Sequence, residues 1–250
     1  MQEHPLISIL HNITLSQQSL LGNIKMLIIA HRGNYKGVCP TKENSVEALR
    51  FCLERGWGIE IDIRRTPNGE YYISHDPSIL NKNNHADVYC HLFRQYPDRI
   101  IALNLKEFGY EIELIEYLNK NNITSQVFLF DMELIEPEFG QTAKLLRQLD
   151  AEIKIAARVS DRNEPIERAL SIESASIIWL DEFDNLWLTN DDIQKIKEAR
   201  KVIYAISPEI HGFPMGQVYQ RWEQFYTWGV NGICTDYADE LELTIKSWLG

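Results

Sequence analysis

The sequence of 250 residues lacks any apolar run that approaches the ~18 residues of a membrane-spanning helix. Its four cysteines, Cys39, Cys52, Cys90 and Cys234, are scattered and form no CxxC pair. This spacing argues against a zinc site and against a disulfide scaffold. The first residues contain an acid, Glu3, and no basic leader of the kind that opens a secretory signal. These absences predict a protein of the cytoplasm with no membrane span.

Basic residues are also scarce. Lys and Arg number 25 against 36 Asp and Glu, which gives a formal net charge of −11. Such a charge repels polyanions and removes the long-range attraction on which nucleic-acid binding depends. We therefore expect no nucleic-acid partner, whereas a small anionic molecule can still bind in a local basic pocket.

What the sequence does contain is an alternation of strand and helix patterns from residue 26 onward. The apolar fraction of 44% and the charged fraction of 24% are typical of soluble globular domains. No linker interrupts the alternation, so we expect one domain over residues 1–250, with 1–25 as an N-terminal extension. Short apolar runs predict strands at 26–31, 58–63, 70–75, 100–106, 126–131, 153–159, 176–182, 202–207 and 232–236.

Amphipathic stretches of helix length separate most of these strands. They lie at 44–55, 110–121, 138–149, 164–173, 190–200, 215–228 and 238–248. Strand and helix in alternation predict a parallel sheet, and this many units predict a closed (β/α)₈ TIM-type barrel. One β-hairpin replaces a helix in this prediction, because there is no room for a helix between Asp62 and His75.

The turn of that hairpin is marked by Asn68-Gly69, a strong signal for a two-residue turn. If the turn closes directly between these two residues, counting outward places Asp62 opposite His75. A carboxylate and an imidazole would then be cross-strand neighbours, ~5 Å apart at their Cβ atoms.

Ionisable side chains gather where the early strands end, which is the edge at which a barrel of this kind builds its active site. A single carboxylate at a strand end often caps the next helix instead. Two histidines, two carboxylates and two cations at one mouth are harder to explain by packing, because their burial is costly. This set consists of His31, Arg32, Glu60, Asp62, His75 and Lys106.

The chemistry that suits this set is phosphodiester cleavage. Glu60 and Asp62 are two residues apart, so both point to one face of a strand and can bind a hard cation such as Mg²⁺ or Ca²⁺. Arg32 and Lys106 can offset negative charge in the transition state. Two histidines can divide the work of general base and general acid, without a serine or cysteine nucleophile.

These residues also carry a family resemblance. The segments "AHRG" (30–33), "ENSVEAL" (43–49), "GIEIDIRRTPNGEYYISHD" (58–76) and "WGVNGICTDYADEL" (228–241) resemble the glycerophosphodiester phosphodiesterases, within the phospholipase-C-like barrel phosphodiesterases. From 107 to 227 only the rhythm of strands and helices is similar.

The resemblance implies a role for each matching position. It implies that His31 and His75 are the acid/base pair and that Arg32 contacts the phosphate. Glu60 and Asp62 would be metal ligands, and Lys106 the second cation. Glu43 would support the site or act as an outer ligand. The family reaction also implies a cyclic phosphate, formed by a neighbouring hydroxyl of the substrate.

The chain departs from the family pattern in two places. The family reads Glu-x-Lys on the fourth strand, whereas this chain reads "NLK", with Asn104 at the third ligand position. An amide oxygen can bind a hard cation, but without a charge it should bind more weakly. The segment between Asp76 and Asn104 is also short, which predicts a more open mouth and a larger or different alcohol in the substrate.

The later strand ends add Arg158, Asp181, Glu209 and His211, together with aromatic residues. Acids and aromatic rings suit polyhydroxylated rings, so we hypothesise a sugar or polysaccharide unit on the non-phosphate side of the substrate. The alternative is that these residues cap helices and pack loops.

Three functions are compatible with the sequence. The leading hypothesis is a metal-dependent phosphodiester hydrolase. A second is a lyase that stops at a cyclic phosphate. The third is a non-catalytic barrel that binds a phosphate ligand, in which Asn104 has ended metal binding.

Overall fold

The computed structural model describes residues 26–132, 136 and 138–249. Eight parallel strands close into a barrel, and a ninth strand is antiparallel. The order around the sheet is β1-β9-β8-β7-β6-β5-β4-β2-β3, and the pairing of β1 with β2 closes it. The strands are β1 (Leu27–His31), β2 (Gly58–Arg65), β3 (Tyr71–Ile73), β4 (Ile101–Leu105), β5 (Val127–Phe130), β6 (Lys154–Val159), β7 (Ile177–Leu180), β8 (Val202–Ile206) and β9 (Gly232–Thr235).

Helices cover the outside of the barrel. They are α1 (Val46–Glu54), α2 (Ala86–Phe93), α3 (Glu111–Lys120), α4 (Gln141–Leu149), α5 (Ile166–Leu170), α6 (Asn190–Glu198), α7 (Met215–Trp228) and α8 (Ala238–Leu249). The predicted TIM-type barrel is therefore confirmed. The N-terminal extension predicted at 1–25 lies outside the described residues. No helix in the described part of the chain is both long and apolar enough to cross a bilayer.

Two layers of apolar side chains form the core. A large layer fills the space between strands and helices, and a smaller one fills the barrel with Ile29, Ala102, Phe128, Phe130, Ala156, Ile177, Trp179, Tyr204, Ile206 and Cys234. Because side chains alternate along a strand, the residue two positions after an inward apolar residue also points inward, one layer nearer the carboxyl end. That position is polar on most strands. It holds His31, Asn104, Arg158, Asp181 and Asp236.

On strand β2 the inward-facing polar side chains begin one layer deeper in the barrel. Ile59, Ile61 and Ile63 belong to the outer layer, so Glu60 and Asp62 between them point into the barrel. These carboxylates are 3% and 1% exposed. Glu60 is level with Ala102 of the apolar layer on β4, whereas Asp62 is level with Asn104 of the polar layer. Two buried acids destabilise the fold unless they gain partners.

The hairpin differs from the predicted one by one residue. Thr66 N–H donates to Glu70 O at 2.8 Å and Gly69 N–H donates to Thr66 O at 2.9 Å, so three residues form the loop. Only Gly69 in this loop has positive φ, at 91°. This is the three-residue turn that ends in a left-handed glycine, so the assumption of a two-residue turn was wrong.

The corrected register separates two predicted neighbours. Ile63 pairs with Ile73, and Ser74 N–H donates to Asp62 O at 3.0 Å. Asp62 is therefore opposite Ser74, and the predicted cross-strand pair of Asp62 with His75 does not form. His75 lies beyond the end of β3, on the segment that leaves the sheet.

The hairpin is an addition to the barrel and does not replace a helix. Helix α2 follows it and precedes β4, which restores the alternation of strand and helix. Helix α2 was not predicted from the sequence, because it begins at an unusual cap. The ring nitrogen of His85 accepts from Asp87 N–H at 3.2 Å, in the place of the usual serine or aspartate.

Candidate active site

A cavity of about 660 Å³ opens at the carboxyl ends of the barrel strands. Ten of the twelve side chains predicted for the site line it: His31, Arg32, Glu43, Glu60, His75, Asn104, Lys106, Arg158, Asp181 and His211. The remaining two, Asp62 and Glu209, are not part of its lining. The structure therefore brings together residues that are far apart in the sequence.

His31 is held by a buried acid at the end of β9. Its Nδ1 lies 2.8 Å from Asp236 Oδ1, and Asp236 is 2% exposed. Asn34 donates from Nδ2 to the same oxygen at 2.8 Å and to Glu43 Oε1 at 3.1 Å. These contacts fix the Nδ1 side of the ring, and Nε2 lies 3.8 Å from Glu60 Oε2.

The charge state of His31 follows from this setting. Burial lowers the pKa of His31, but the hydrogen bond to Asp236 and the negative charges of Glu60 and Asp236 outweigh it. The net result is a pKa above the ordinary value of 6.5. A histidine oriented by a carboxylate in this way is equipped to hold or give up a proton near neutral pH.

The turn after β1 explains the "HRG" sequence. Arg32 and Gly33 both have positive φ, at 51° and 78°. A Cβ atom on Gly33 would lie 2.9 Å from the side chain of Leu49, so only glycine fits there. Left-handed backbone at a non-glycine residue is strained, and such strain is concentrated at functional sites. The turn directs Arg32 toward Glu43 and Asp62, each at 3.5 Å.

The two acids of β2 are surrounded by cations. Lys106 Nζ lies 2.9 Å from Asp62 Oδ1, and the backbone N–H of Arg32 lies 3.3 Å from Glu60 Oε2. Burial raises the pKa of Glu60 to about 7, and the neighbouring Asp62 carboxylate adds to the rise, against the opposing effect of His31, Arg32 and Lys106. Glu60 thus holds a proton at slightly acid pH and loses it above neutrality.

Asn104 is paired with a carboxylate of the next strand. Its Nδ2 donates to Asp131 Oδ2 at 2.8 Å, while Arg158 Nη1 donates to Asp131 Oδ1 at 3.1 Å. Asp131 has φ of 66°, which turns its side chain toward both partners. Burial raises the pKa of Asp131, while the charges of Arg158 and Lys106 oppose the rise. Had Asn104 been glutamate, two buried carboxylates would compete for the same space.

The predicted cation ligands lie close together, but they are not a complete metal site of His, Cys, Asp and Glu. In residues 26–132, 136 and 138–249, no group of three or more His, Cys, Asp and Glu is placed to hold a metal. Glu60, Asp62 and Asn104 contribute two carboxylates and an amide. Asn104 Oδ1 is buried without a hydrogen-bond partner in the described part of the chain, whereas the two buried oxygens of Asp62 form ion pairs with Lys106 at 2.9 Å and with Arg32 at 3.5 Å. Buried carboxylate and amide oxygens fit Mg²⁺ or Ca²⁺, and Lys106 would compete with the cation for Asp62.

The cavity has an excess of acids. Its lining includes six carboxylates, four permanently cationic side chains and three histidines. An anionic phosphodiester would meet repulsion unless protons or a bound cation compensate for the carboxylates. This balance is a second reason to consider a divalent cation.

His75 is the more exposed of the two predicted acid/base residues, with 45% of its side chain accessible. Its Nδ1 lies 3.0 Å from the carboxylate of Asp76, which is itself 87% exposed. Its backbone oxygen accepts two hydrogen bonds from Arg64, at 2.6 and 3.0 Å. The ring is therefore reachable by a ligand in the cavity, and its position depends on the backbone.

The far wall of the cavity is built on Arg158. This guanidinium contacts Asp131 at 3.1 Å, Glu164 at 3.0 Å and Asp181 at 3.8 Å. Asp181 in turn lies 2.5 Å from His211 Nε2. An unbroken network of polar contacts thus joins the ends of β5, β6 and β7 to the 3₁₀ turn after β8.

An aromatic ring lies on top of this network. Phe183 is 4.2 Å from the ring of His211, and the guanidinium carbons of Arg158 and Arg162 lie 4.6 and 4.2 Å from its centroid. The far wall therefore offers polar groups and an aromatic face side by side.

Glu209 does not contact the cavity. Its carboxylate accepts from Thr235 Oγ1 at 2.5 Å, from Asp236 N–H at 3.1 Å and from Ser207 Oγ. These bonds tie the end of β9 to the turn after β8 and so fix Asp236 beneath His31. Of the two roles predicted for Glu209, support of the site or contact with the substrate, these bonds favour support.

Sequence reasoning missed several residues of the site. Asn34, Glu164 and Phe183 contact predicted site residues, and Arg162 contacts Phe183, yet none of the four lies in the family motifs. Asp236 was noticed as a strand end but not as a partner of His31. For Asp236 the family's closing motif was the available signal, whereas the other four follow only from the folded arrangement.

Comparisons with known proteins agree with this architecture. No family model matches the sequence. Over 62 residues the chain is 37% identical to a glycerophosphodiester phosphodiesterase of Caldanaerobacter subterraneus subsp. tengcongensis, and this match spans 24% of the chain and 24% of that relative.

Solved structures match over almost the whole chain. A glycerophosphodiester phosphodiesterase from Parabacteroides distasonis has a TM-score of 0.69 at 15% identity, covering 90% of this chain and 98% of its own. A phosphodiesterase from Oleispira antarctica, in complex with the product sn-glycerol-3-phosphate, has a TM-score of 0.65 at 17% identity, covering 88% and 96%. The resemblance deduced from the sequence motifs is confirmed at the level of the fold.

Proposed function

We propose that the protein hydrolyses a phosphodiester of the glycerophosphodiester type, with His31 and His75 as the acid/base pair. The observation that carries the proposal is the placement of His31. Its ring is fixed by buried Asp236 at 2.8 Å and lines the same cavity as Arg32, Lys106 and His75. Two histidines and two cations around one cavity are what in-line displacement at phosphorus needs.

The reaction assigns one task to each group. Arg32 and Lys106 bind the phosphoryl oxygens and offset the charge that accumulates as the new P–O bond forms. One histidine takes the proton from the attacking hydroxyl or water. The other gives a proton to the alkoxide that leaves when the old P–O bond breaks. Asp236 keeps the proton of His31 on Nδ1, so that Nε2 faces the reaction.

A divalent cation, Mg²⁺ or Ca²⁺, would be held by Glu60, Asp62 and Asn104. When bound, it would polarise a phosphoryl oxygen and neutralise the excess of carboxylates. Because the amide of Asn104 carries no charge, we expect weaker binding than at a site with three carboxylates.

The attacking group distinguishes hydrolysis from cyclisation. If a hydroxyl of the substrate attacks first, the product is a cyclic phosphate, and the protein is a lyase unless water then opens the ring. Phosphorus NMR of the product separates the two, because the ring phosphorus has its own chemical shift. A cyclic phosphate that persists at the end of the reaction would favour the lyase.

We extend the proposal to the alcohol that leaves, as a sugar or polysaccharide unit. The support comes from the far wall of the cavity. Asp181 and His211 can hydrogen-bond hydroxyl groups, and Phe183 can stack against a sugar ring. Kinetics of His211→Ala and Phe183→Ala on a panel of glycerol and sugar diesters test this extension. Equal losses on both classes would contradict it.

The main experiment is a screen of diester substrates in the presence of EDTA, Mg²⁺ or Ca²⁺. His31→Ala should lose activity on the best substrate, and His91→Ala is the matched control because His91 is exposed on α2. A His31→Ala variant as active as the parent would overturn the proposed function.

A non-catalytic phosphate-binding barrel is the second candidate, favoured by the uncharged Asn104. In that case calorimetry would detect binding of a glycerophosphodiester without turnover and no binding of either cation. Turnover by the purified parent protein would remove this candidate.

A further inference from the structure

The two proposed acid/base histidines are held in different ways. The ring of His31 is fixed by Asp236, whose side chain is 3% exposed. The ring of His75 has a carboxylate partner in Asp76, but that side chain is 87% exposed and competes with water. An ion pair of this kind contributes little orientation, so the position of the His75 ring depends on its backbone.

The backbone at His75 lies outside the regular hairpin. Strand β3 ends at Ile73, and the last ladder contact is the bond from Ser74 N–H to Asp62 O. Beyond it the chain turns away, held locally by Ser74 Oγ, which donates to Asp76 O at 2.7 Å. Sheet pairing therefore does not fix the peptide that carries His75.

Arg64 supplies the missing contact. Its Nη2 and Nε both donate to the backbone oxygen of His75, at 2.6 and 3.0 Å. Its Nη1 donates to Glu107 Oε1 at 2.5 Å, and the Arg64 side chain is only 13% exposed. Glu107 Oε2 also accepts from the backbone N–H of Arg65 at 3.2 Å, so the carboxylate is itself anchored to β2.

Glu107 follows Lys106 directly in the chain, so the contact of Arg64 with Glu107 also affects the segment that carries Lys106. The planar guanidinium joins two segments, one that carries His75 and one that carries Lys106, through three hydrogen bonds in a fixed plane. Lysine at this position cannot reproduce that geometry, because an ammonium group presents a single charged atom.

We propose that Arg64, anchored by Glu107, is a positioning residue that sets the distance between His75 and Lys106. This inference rests on the proposed function, since it assigns Arg64 an effect on the reaction through His75. Arg64 itself does not line the cavity in the described part of the chain. Its removal should slow the chemical step and leave substrate binding largely intact.

The test compares Arg64→Ala, Arg64→Lys and Glu107→Gln with the parent on the best diester of the substrate screen. Arg64→Ala should lower kcat roughly 10- to 100-fold with little change in KM, as expected for misplacement of an acid/base group. Arg64→Lys and Glu107→Gln should lie between that variant and the parent. Arg65→Ala is the matched control, because its guanidinium lies over Tyr110 at 4.2 Å and has no contact with His75. It should keep the parental kcat.

A double-mutant cycle separates positioning from general destabilisation. In the His75→Ala background the further change Arg64→Ala should have no effect on kcat, because the group it positions is gone. An undiminished loss in that background, or a parental kcat in folded Arg64→Ala, would overturn the inference alone. A fully active His75→Ala variant would overturn the proposed role of His75 and the inference with it.

Discussion

Replacing Glu60 with glutamine should change how the stability of the cation-free protein depends on pH. The ordinary pKa of a glutamate is 4.5, and burial beside Asp62 raises the pKa of Glu60 to about 7. Between these two values the folded protein keeps a proton that the unfolded chain has lost. The stabilisation that this proton provides is complete below 4.5 and is lost as the pH rises through about 7.

The magnitude follows from the two pKa values. One pKa unit corresponds to about 1.4 kcal/mol, so ionising Glu60 in the folded state costs about 3 kcal/mol of unfolding free energy. Glutamine cannot ionise. The unfolding free energy of Glu60→Gln relative to the parent should therefore rise by about 1.4 kcal/mol per pH unit between about pH 5 and 7, and then level off.

Urea unfolding followed by tryptophan fluorescence, in buffers with EDTA, measures this difference. His31 also has a raised pKa, so its stabilising effect is likewise lost as the pH rises. Repeating the pair of measurements in a His31→Gln background removes that contribution. Glu116→Gln, an exposed position on α3, is the control and should parallel the parent. Parallel curves for Glu60→Gln and the parent would refute the reasoning.

Three further predictions concern the network around the cavity. Asp236→Asn should lower kcat roughly 100-fold or more at neutral pH, because His31 loses its oriented proton, and a kcat profile against pH measures this. Asn104→Glu alone should lower the melting temperature without tightening Mg²⁺ or Ca²⁺ binding. Asn104→Glu combined with Asp131→Asn should tighten cation binding in calorimetric titration. Tighter binding by the single variant would contradict the role given to the pair of Asn104 and Asp131. Arg158→Met removes the cation that three carboxylates share and should lower the unfolding free energy by about 3–5 kcal/mol in urea titration.

The barrel was predictable because its information is local and repeated. Runs such as "GIEIDI" show a strand by their alternation of isoleucine and acid, and helix α1 shows itself by a stripe that ends at Gly56. The one helix of the described residues that was not predicted, α2, begins at a histidine cap in place of the usual serine or aspartate, so the signal for its start was weak.

The lining of the cavity was predictable where polar residues end a strand or share one motif. The hairpin segment carries Glu60, Asp62 and His75 within a single stretch, and two of these, Glu60 and His75, line the cavity. The register of the hairpin was not predictable from the sequence. A turn of three residues in place of two shifts the pairing of the strands by one residue. The contact of Asn34 with Asp236 joins the segments that follow β1 and β9 across 202 positions, so no local pattern in the sequence reveals it.

The contacts of Asn104 in the structure change how its departure from the family pattern is interpreted. Taken alone, it is the loss of a third carboxylate from a cation site. In the structure the carboxylate of Asp131, directly after the next strand, lies 2.8 Å from the Asn104 amide, so an acid is present beside the position where the family has its glutamate. Asp131 is bound to Arg158, which ties it to the far wall instead of to Glu60 and Asp62. We therefore expect the affinity for the proposed cation to depend on the pair, because either residue changed alone leaves two like groups in contact or an amide without its acceptor.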